Sequence, residues 1–83
     1  AWEVYIIQDC LGKLYTGITK NLERRFAEHQ EGKKGAKFFR VAPPKKIIFR
    51  EKHPNRSSAS KREASIKKMS REEKLTLIGL FQT

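Results

Sequence analysis

The sequence predicts an α+β fold with three strands and about three helices. Three observations lead to this prediction. The chain opens with two β-prone runs around a glycine turn, a third such run follows a Pro-Pro pair, and three stretches combine capping residues with apolar residues at helical spacing. Because 83 residues support only one modest core, we expect residues 1–83 to form a single domain with any functional site on or beside that core.

The first two runs predict a β-hairpin. Residues 2–8, WEVYIIQ, are rich in β-branched and aromatic residues. Residues 9–12 form the turn, in which the glycine is free to adopt positive φ, and residues 13–18 form the return strand.

The register of this hairpin decides where its tyrosines lie. If the loop is odd in length, Tyr5 lies opposite Tyr15 and both rings share one face of the sheet, whereas an even loop separates them. Gly17 follows Tyr15 by two residues and therefore lies on the same face. Since glycine has no side chain, we expect it to leave room above the sheet for a ligand.

The first helix, residues 22–30, carries charge where apolar residues are expected. Leu22 and Phe26 define its apolar stripe, and Arg25 and His29 fall inside that stripe. Burying an unpaired cation costs several kcal/mol. Either Arg25 has a buried partner or this edge of the helix opens onto a cleft that binds an anion, and we adopt the cleft as the working hypothesis.

A long basic connection, residues 32–44, follows the first helix. Its cations alternate with phenylalanines, a mixture that suits the phosphates and bases of single-stranded or distorted nucleic acid. Alternatively, the phenylalanines anchor the connection to the core, which is the commoner role of paired aromatic residues. The residues concerned are Lys33, Lys34, Lys37, Phe38, Phe39 and Arg40.

The third strand is predicted at residues 45–52, and the second helix at residues 57–69. On that helix Ala59, Glu63 and Ile66 share one face, so a carboxylate occupies its core-facing stripe. Two charge anomalies of opposite sign, this one and that of the first helix, suggest a common site.

The last helix begins at a capping box formed by Ser70 and Glu73. We expect it to place Leu75 and Ile78 on the core and to end at Gly79.

The composition indicates a polyanionic partner. The chain has 19 Lys+Arg against 9 Asp+Glu, a formal charge of +10 and a pI near 10.1, which favours DNA, with RNA also compatible. A basic surface that serves only solubility is the alternative.

The single cysteine, Cys10, excludes an internal disulfide and indicates a reducing compartment. Without a run of about 20 apolar residues or a signal-peptide pattern, we expect a cytoplasmic protein and no membrane partner.

Together, the unusual polar residues suit phosphodiester cleavage. Arg25 presents paired donors to two phosphate oxygens. Glu63, as a lone carboxylate, suits one Mg²⁺ or Mn²⁺ ion that keeps most of its waters. A tyrosine, Tyr5 or Tyr15, with a lowered pKa can take the proton of an attacking water, and His29 can orient that tyrosine or relay the proton. Each residue also has an ordinary structural explanation when taken alone.

The same residues resemble the GIY-YIG nuclease superfamily. The resemblance consists of VYI at residues 4–6, YTG at residues 15–17, Arg25 eight residues after the glycine, His29 one turn later, and Glu63 on a following helix. More narrowly, the chain is similar to small stand-alone bacterial GIY-YIG domain proteins whose activity is uncharacterised.

The resemblance implies that the three strands form one antiparallel sheet flanked by helices. It also implies metal-dependent cutting of DNA at one site per domain, as in repair or recombination. Tyr5 and Tyr15 match the motif tyrosines, one of which is the base. Gly17 matches the motif glycine. Arg25 matches the catalytic arginine of the family, His29 matches a histidine that several branches carry, and Glu63 matches the metal ligand.

Three functional hypotheses follow from these residues. In the first, the domain is an endonuclease whose backbone contacts include Gly17, the basic connection, and the helix cations Lys61, Lys67 and Lys68. In the second, it is a non-catalytic nucleic-acid-binding module on the same scaffold. In the third, it is a partner-binding subunit in which Arg25 and Glu63 form an ion pair closed to solvent.

Overall fold

The structure, a computed structural model, describes residues 1–31 and 43–82. It has the predicted fold class, a three-stranded antiparallel sheet with three helices. The elements in chain order are β1 (Trp2–Asp9), β2 (Leu14–Thr19), α1 (Leu22–Glu31), β3 (Pro44–His53), α2 (Arg56–Lys67) and α3 (Arg71–Gln82).

The sheet has the strand order β2-β1-β3, so the first strand lies in the centre and pairs antiparallel with both neighbours. Side chains alternate along β1 between two cores. Val4 and Ile6 face α2 and α3, whereas Tyr5 and Ile7 face α1. These four side chains are almost fully buried, and each contributes about 1.5–3 kcal/mol of hydrophobic stabilisation.

The hairpin turn sets the register of the site. The Asp9 carboxylate accepts hydrogen bonds from the backbone N–H groups of Leu11 and Lys13 at 2.9 and 2.8 Å, and Gly12 has a φ of 86°. The Asp9 N–H also donates to the Lys13 carbonyl at 2.9 Å, closing a short loop between them. The loop is odd in length, as one of the two predicted alternatives required.

The predicted pairing of the two tyrosines is wrong, although they do share a face. Counting back from the turn places Tyr5 opposite Gly17, and Ile7 opposite Tyr15. The tyrosines are therefore diagonal neighbours rather than direct cross-strand partners, because the loop is closed between residues 9 and 13.

Side chains cap the starts of all three helices in the described residues, and the capping box predicted for the last helix is present. Asn21 Oδ1 accepts from the Arg24 N–H at 3.1 Å, and Asn55 Oδ1 accepts from the Ser58 N–H at 2.8 Å. At α3 the capping box is reciprocal: the Glu73 N–H donates to the Ser70 hydroxyl at 3.2 Å, and the Ser70 N–H donates to the Glu73 carboxylate at 3.1 Å.

The predicted end of the last helix is wrong. The helix α3 continues through Gly79 to Gln82, since a helical glycine costs only about 1 kcal/mol relative to alanine and does not by itself end a helix. Ile78 is buried as predicted, but Leu75 is 47% exposed because the register of α3 turns it away from the sheet. Within the described residues no helix has the length and apolarity needed to cross a bilayer.

Arg50 joins three elements on the α1 face of the sheet. Its Nε and Nη2 donate to the two carboxylate oxygens of Glu3 at 2.8 and 2.9 Å, and its Nη1 donates to Glu23 at 3.3 Å. Because Glu3 belongs to β1 and Glu23 to the first turn of α1, this arginine fastens the start of α1 to the sheet.

Candidate functional site

The site is a cluster of three rings between β1, β2 and α1. Tyr5 and Tyr15 have ring centroids 6.3 Å apart, and His29 lies 5.6 Å from Tyr15 and 6.4 Å from Tyr5. The Tyr5 Oη and His29 Nε2 atoms are 3.3 Å apart. Three of the predicted catalytic side chains are therefore in contact, although they come from three separate elements.

Gly17 determines how low the Tyr5 ring lies on the sheet. A Cβ added at Gly17 would lie 2.6 Å from Tyr5 Oη and 2.7 Å from its Cζ. The Tyr5 side chain therefore occupies the space above Gly17 that we expected to be open for a ligand, and that prediction is wrong. The physical reason is the register, which makes Tyr5 the direct partner of Gly17.

Arg25 has hydrogen-bond partners and also reaches solvent, and the binding of an anion beside it stays a prediction. It is hydrogen-bonded to Tyr5, and its Nη1 donates to Glu28 at 3.2 Å. Burial alone would lower the pKa of Arg25, but the hydrogen bonds to Tyr5 and Glu28 outweigh it and raise the pKa. Its side chain is 31% exposed and lines a hollow of about 340 Å³ at the start of α1.

The pKa of Tyr5 is raised, whereas a catalytic tyrosine was expected to have a lowered pKa. Burial, followed by the neighbouring Tyr15, raises the pKa of Tyr5 to about 12, while the hydrogen bond and charge of Arg25 act in the opposite direction. The Tyr5 phenol therefore keeps its proton at neutral pH. For Tyr5 the expectation is wrong, because the neighbouring cation does not compensate for burial.

His29 is a neutral imidazole at neutral pH. It is 1% exposed, and burial, followed by the charge of Arg25, lowers its pKa to about 4, with the charge of Glu28 opposing this shift. One of its ring nitrogens therefore remains available as a hydrogen-bond acceptor.

Glu63 lies on α2, within electrostatic reach of the ring cluster, since its charge contributes to the raised pKa of Tyr5. Its side chain is 23% exposed and pairs with Lys67 on the same helix, with Nζ and Oε2 3.5 Å apart. Both Arg25 and Glu63 reach solvent and each pairs on its own helix, so the closed ion pair of the third hypothesis does not describe this site.

Glu63 offers a single carboxylate to a divalent ion. In the described part of the chain there is no group of three or more His, Cys, Asp or Glu side chains placed to hold a metal. One partly exposed carboxylate is the kind of hard oxygen ligand with which Mg²⁺ or Mn²⁺ keeps most of its waters.

Apart from Gly17, which Tyr5 covers, the predicted nucleic-acid contacts divide into two groups. Lys61 and Lys68 are exposed on α2 and at its C-cap, and Lys67 lies beside Glu63. The others lie in the basic connection, outside the described residues, as does the phenylalanine pair: Lys33, Lys34, Lys37, Phe38, Phe39 and Arg40. All these contacts remain predictions.

Sequence reasoning missed the residues around the hollow beside Arg25. They include Trp2, Lys20, Arg24 and Glu28. The available signal was a pair of consecutive arginines followed by a glutamate one helical turn later. Charged pairs on an exposed helix face are common, so this pattern alone does not indicate a site.

A model of the GIY-YIG catalytic domain matches residues 1–76. The UPF0213 protein DP2720 of Desulfotalea psychrophila is 49% identical over 78 residues, which are 94% of this chain and 71% of that protein. A UPF0213 protein of Syntrophus aciditrophicus is 49% identical over 75 residues, 90% of this chain and 86% of that protein. The solution NMR structure of the UPF0213 protein BH0048 from Bacillus halodurans is similar, with a TM-score of 0.62, 34% identity, and coverage of 95% of this chain and 83% of that chain.

Proposed function

The chain belongs to the GIY-YIG catalytic domain family, and from that premise we propose that it is a metal-dependent endonuclease that hydrolyses DNA phosphodiester bonds, as in DNA repair or recombination. The family implies a nucleic-acid substrate in general. The observation that carries the finer proposal is the convergence of Tyr5, Tyr15, Arg25 and His29 on one face of the sheet, with Glu63 in electrostatic reach.

Arg25 is proposed to bind the scissile phosphate. Its guanidinium lies between the buried ring cluster and the hollow, and 31% of its side chain is exposed. A planar cation in this place offers two parallel donors to the phosphate and stabilises the extra negative charge of the pentavalent transition state.

Tyr5 is proposed as the group that takes the proton of the attacking water. Its oxygen is hydrogen-bonded to Arg25 and lies 3.3 Å from His29 Nε2, which accepts the Tyr5 O–H in the His29 tautomer that carries its proton on Nδ1. Because the pKa of Tyr5 is raised to about 12, we propose a relay: Tyr5 passes its proton to neutral His29 as it accepts one from water. The new P–O bond forms as the bond to the leaving oxygen breaks, the leaving alkoxide takes a proton from solvent water, and His29 later returns its own extra proton to solvent.

Tyr15 is proposed to hold His29 in place, since the two rings meet nearly edge to face at 70°. Glu63 is proposed to hold one Mg²⁺ or Mn²⁺ ion, in place of its ion pair with Lys67. When bound, such an ion supplies positive charge that polarises the phosphate and favours departure of the leaving oxygen.

A plasmid-nicking assay with Mg²⁺ tests the proposal. We expect Arg25→Ala and Glu63→Gln each to lower the nicking rate by about 100-fold or more, the size of effect seen when one transition-state contact is lost. The matched control is Glu72→Gln, which removes the same charge from an exposed position on α3. Circular dichroism confirms folding of each variant. Nicking that persists in both site variants would rule out this assignment.

A non-catalytic nucleic-acid-binding module is the second candidate. The observation in its favour is the raised pKa of Tyr5, which leaves almost no phenolate to act as a base at neutral pH unless His29 assists. This candidate predicts DNA binding that weakens steeply with salt, no nicking with Mg²⁺ or Mn²⁺, and unchanged affinity in Glu63→Gln.

A further inference from the structure

The hollow at the start of α1 borders the proposed scissile-phosphate site, because Arg25 belongs to both. It has a volume of about 340 Å³, within the usual range of small-ligand pockets, about 300–1,000 Å³. The lining residues that matter here are Trp2, Lys20, Asn21, Arg24, Arg25 and Glu28. When one phosphate of a nucleic-acid strand lies on Arg25, a neighbouring nucleotide of that strand therefore lies at this hollow.

The walls of the hollow are held in place before any ligand binds. The Asn21 N–H donates to the Thr19 hydroxyl at 3.2 Å, and Asn21 Oδ1 caps α1. The Lys20 ammonium lies 5.5 Å from the centroid of the Trp2 ring, a distance at which the ring attracts the cation. The backbone that carries these basic groups is therefore held in place, while the side chains of Lys20 and of Arg24, which is 73% exposed, reach solvent.

Glu28 occupies the position of an anion between two arginines. Its Oε2 is 3.6 Å from Arg24 Nε, and its Oε1 is 3.2 Å from Arg25 Nη1. A phosphate presents two oxygens to guanidinium groups in the same manner. With three cations and one carboxylate among its described lining residues, the hollow keeps an excess of positive charge even while Glu28 is in place.

We infer that this hollow is a second phosphate subsite, which binds the phosphodiester group next to the one on Arg25 through Lys20 and Arg24, and that Glu28 is the internal counter-anion displaced by the strand. The inference rests on the proposed function for the position of the first phosphate. When a strand binds, its phosphate takes the place of the Glu28 carboxylate, and Arg25 then leaves Glu28 and contacts the substrate.

The test is a binding measurement without chemistry. Fluorescence anisotropy of a labelled single-stranded DNA oligonucleotide and of its duplex is measured in EDTA over a series of salt concentrations. We expect Lys20→Met and Arg24→Gln each to weaken binding several-fold and to reduce the slope of log affinity against log salt by about 0.7–0.9, the value of one phosphate contact. The matched control is Lys46→Met, a cation exposed on β3 outside the hollow.

Glu28 supplies a prediction of opposite sign. We expect Glu28→Gln to tighten DNA binding by about three- to fivefold, the effect of one partly exposed charge. Glu72→Gln removes the same charge far along the chain and is expected to leave affinity within about twofold of wild type.

Three outcomes decide the inference. Equal losses in Lys20→Met and Lys46→Met would overturn it, since they would show a diffuse basic surface. Weaker binding in Glu28→Gln, or the same gain as in Glu72→Gln, would overturn the counter-anion role. If Arg24→Lys has the wild-type slope of log affinity against log salt that Arg24→Gln loses, and the melting temperature is unchanged, this result would support a phosphate contact at residue 24. The proposed function fails separately, if wild-type protein shows this binding pattern in EDTA yet never nicks DNA with Mg²⁺.

Discussion

The position of the Tyr5 hydroxyl depends on an absent side chain. Gly17 lies directly opposite Tyr5, and only hydrogen at its Cα lets the phenol lie across the strand. In this position the hydroxyl reaches both Arg25 and His29. A single methyl group on residue 17 would therefore act on the site indirectly, by displacing the tyrosine.

We expect Gly17→Ala to lower the free energy of unfolding by about 1–3 kcal/mol, the usual penalty for overpacking, and to lower the nicking rate by about 100-fold through misplacement of Tyr5. Urea titration and plasmid nicking measure the two effects. The control is Gly79→Ala, where an added Cβ meets no atom within 4 Å and the helix gains up to about 1 kcal/mol. Wild-type activity in Gly17→Ala would show that the phenol position is unimportant.

His29 links the stability of the fold to pH. The unfolded chain binds a proton on this imidazole near pH 6.5, whereas the folded chain binds it only near pH 4. Between these values the unfolded state holds more protons, so acidification lowers the free energy of unfolding.

We expect wild-type protein to lose about 1.5 kcal/mol of stability from pH 6.5 to pH 5, since each pKa unit corresponds to about 1.4 kcal/mol and the unfolded-state imidazole is only half protonated at pH 6.5. Urea titrations across this range should show a flatter dependence in His29→Gln. The chain has two histidines, and His53→Gln is the control that should retain the His29 contribution. The same slope in His29→Gln as in wild type would contradict this account.

At the scale of elements, α1 is positioned by polar contacts as well as by apolar burial. Leu22 packs into the smaller core with Tyr5 and Ile7. Arg50 ties the first turn of the helix to the central strand through Glu3 and Glu23. Since Arg25 and His29 belong to α1, the orientation of this helix sets the geometry of the site.

We expect Arg50→Met to lower the free energy of unfolding by about 1–2 kcal/mol, because it leaves the Glu3 carboxylate, 9% exposed, without its paired donors. Adding Glu3→Gln should recover part of this loss in a double-mutant cycle. Glu23→Gln, at a glutamate 72% exposed, should change stability little. Urea denaturation of the four variants measures these differences. Strict additivity of the Arg50 and Glu3 changes would contradict the proposed coupling.

At the scale of the whole molecule, one site and a large positive charge act together. In the described part of the chain the three rings of the predicted site lie together beside Arg25, and the formal charge of +10 favours encounter with a polyanion at low salt. Under the proposed nuclease function, one such site would cut one strand in each encounter.

We expect supercoiled plasmid to pass through an open-circular form before any linear product appears, with the delay shortening as enzyme concentration rises. Agarose gel time courses in Mg²⁺ measure this order. Linear DNA formed from the start, without an open-circular intermediate, would indicate that two chains act together on the duplex.

The sequence by itself determined the elements, the caps and the choice of candidate residues. Helical and strand periodicity and the capping of Asn21, Asn55 and Ser70 depend on residues a few positions apart, so they can be read locally. The resemblance to the family could also be recognised from the sequence, because it depends on the spacing of the tyrosine, glycine, arginine and glutamate positions along the chain.

Only the tertiary structure decided how these residues act on one another. The placement of Tyr5 over Gly17, the raised pKa of Tyr5 and the lowered pKa of His29 all arise where strands and helices distant in sequence meet. Packing sets the distances between such groups and removes them from water, and interaction energies between charges depend on both. A sequence pattern therefore names the participants, whereas their register, burial and charge state come from the folded chain.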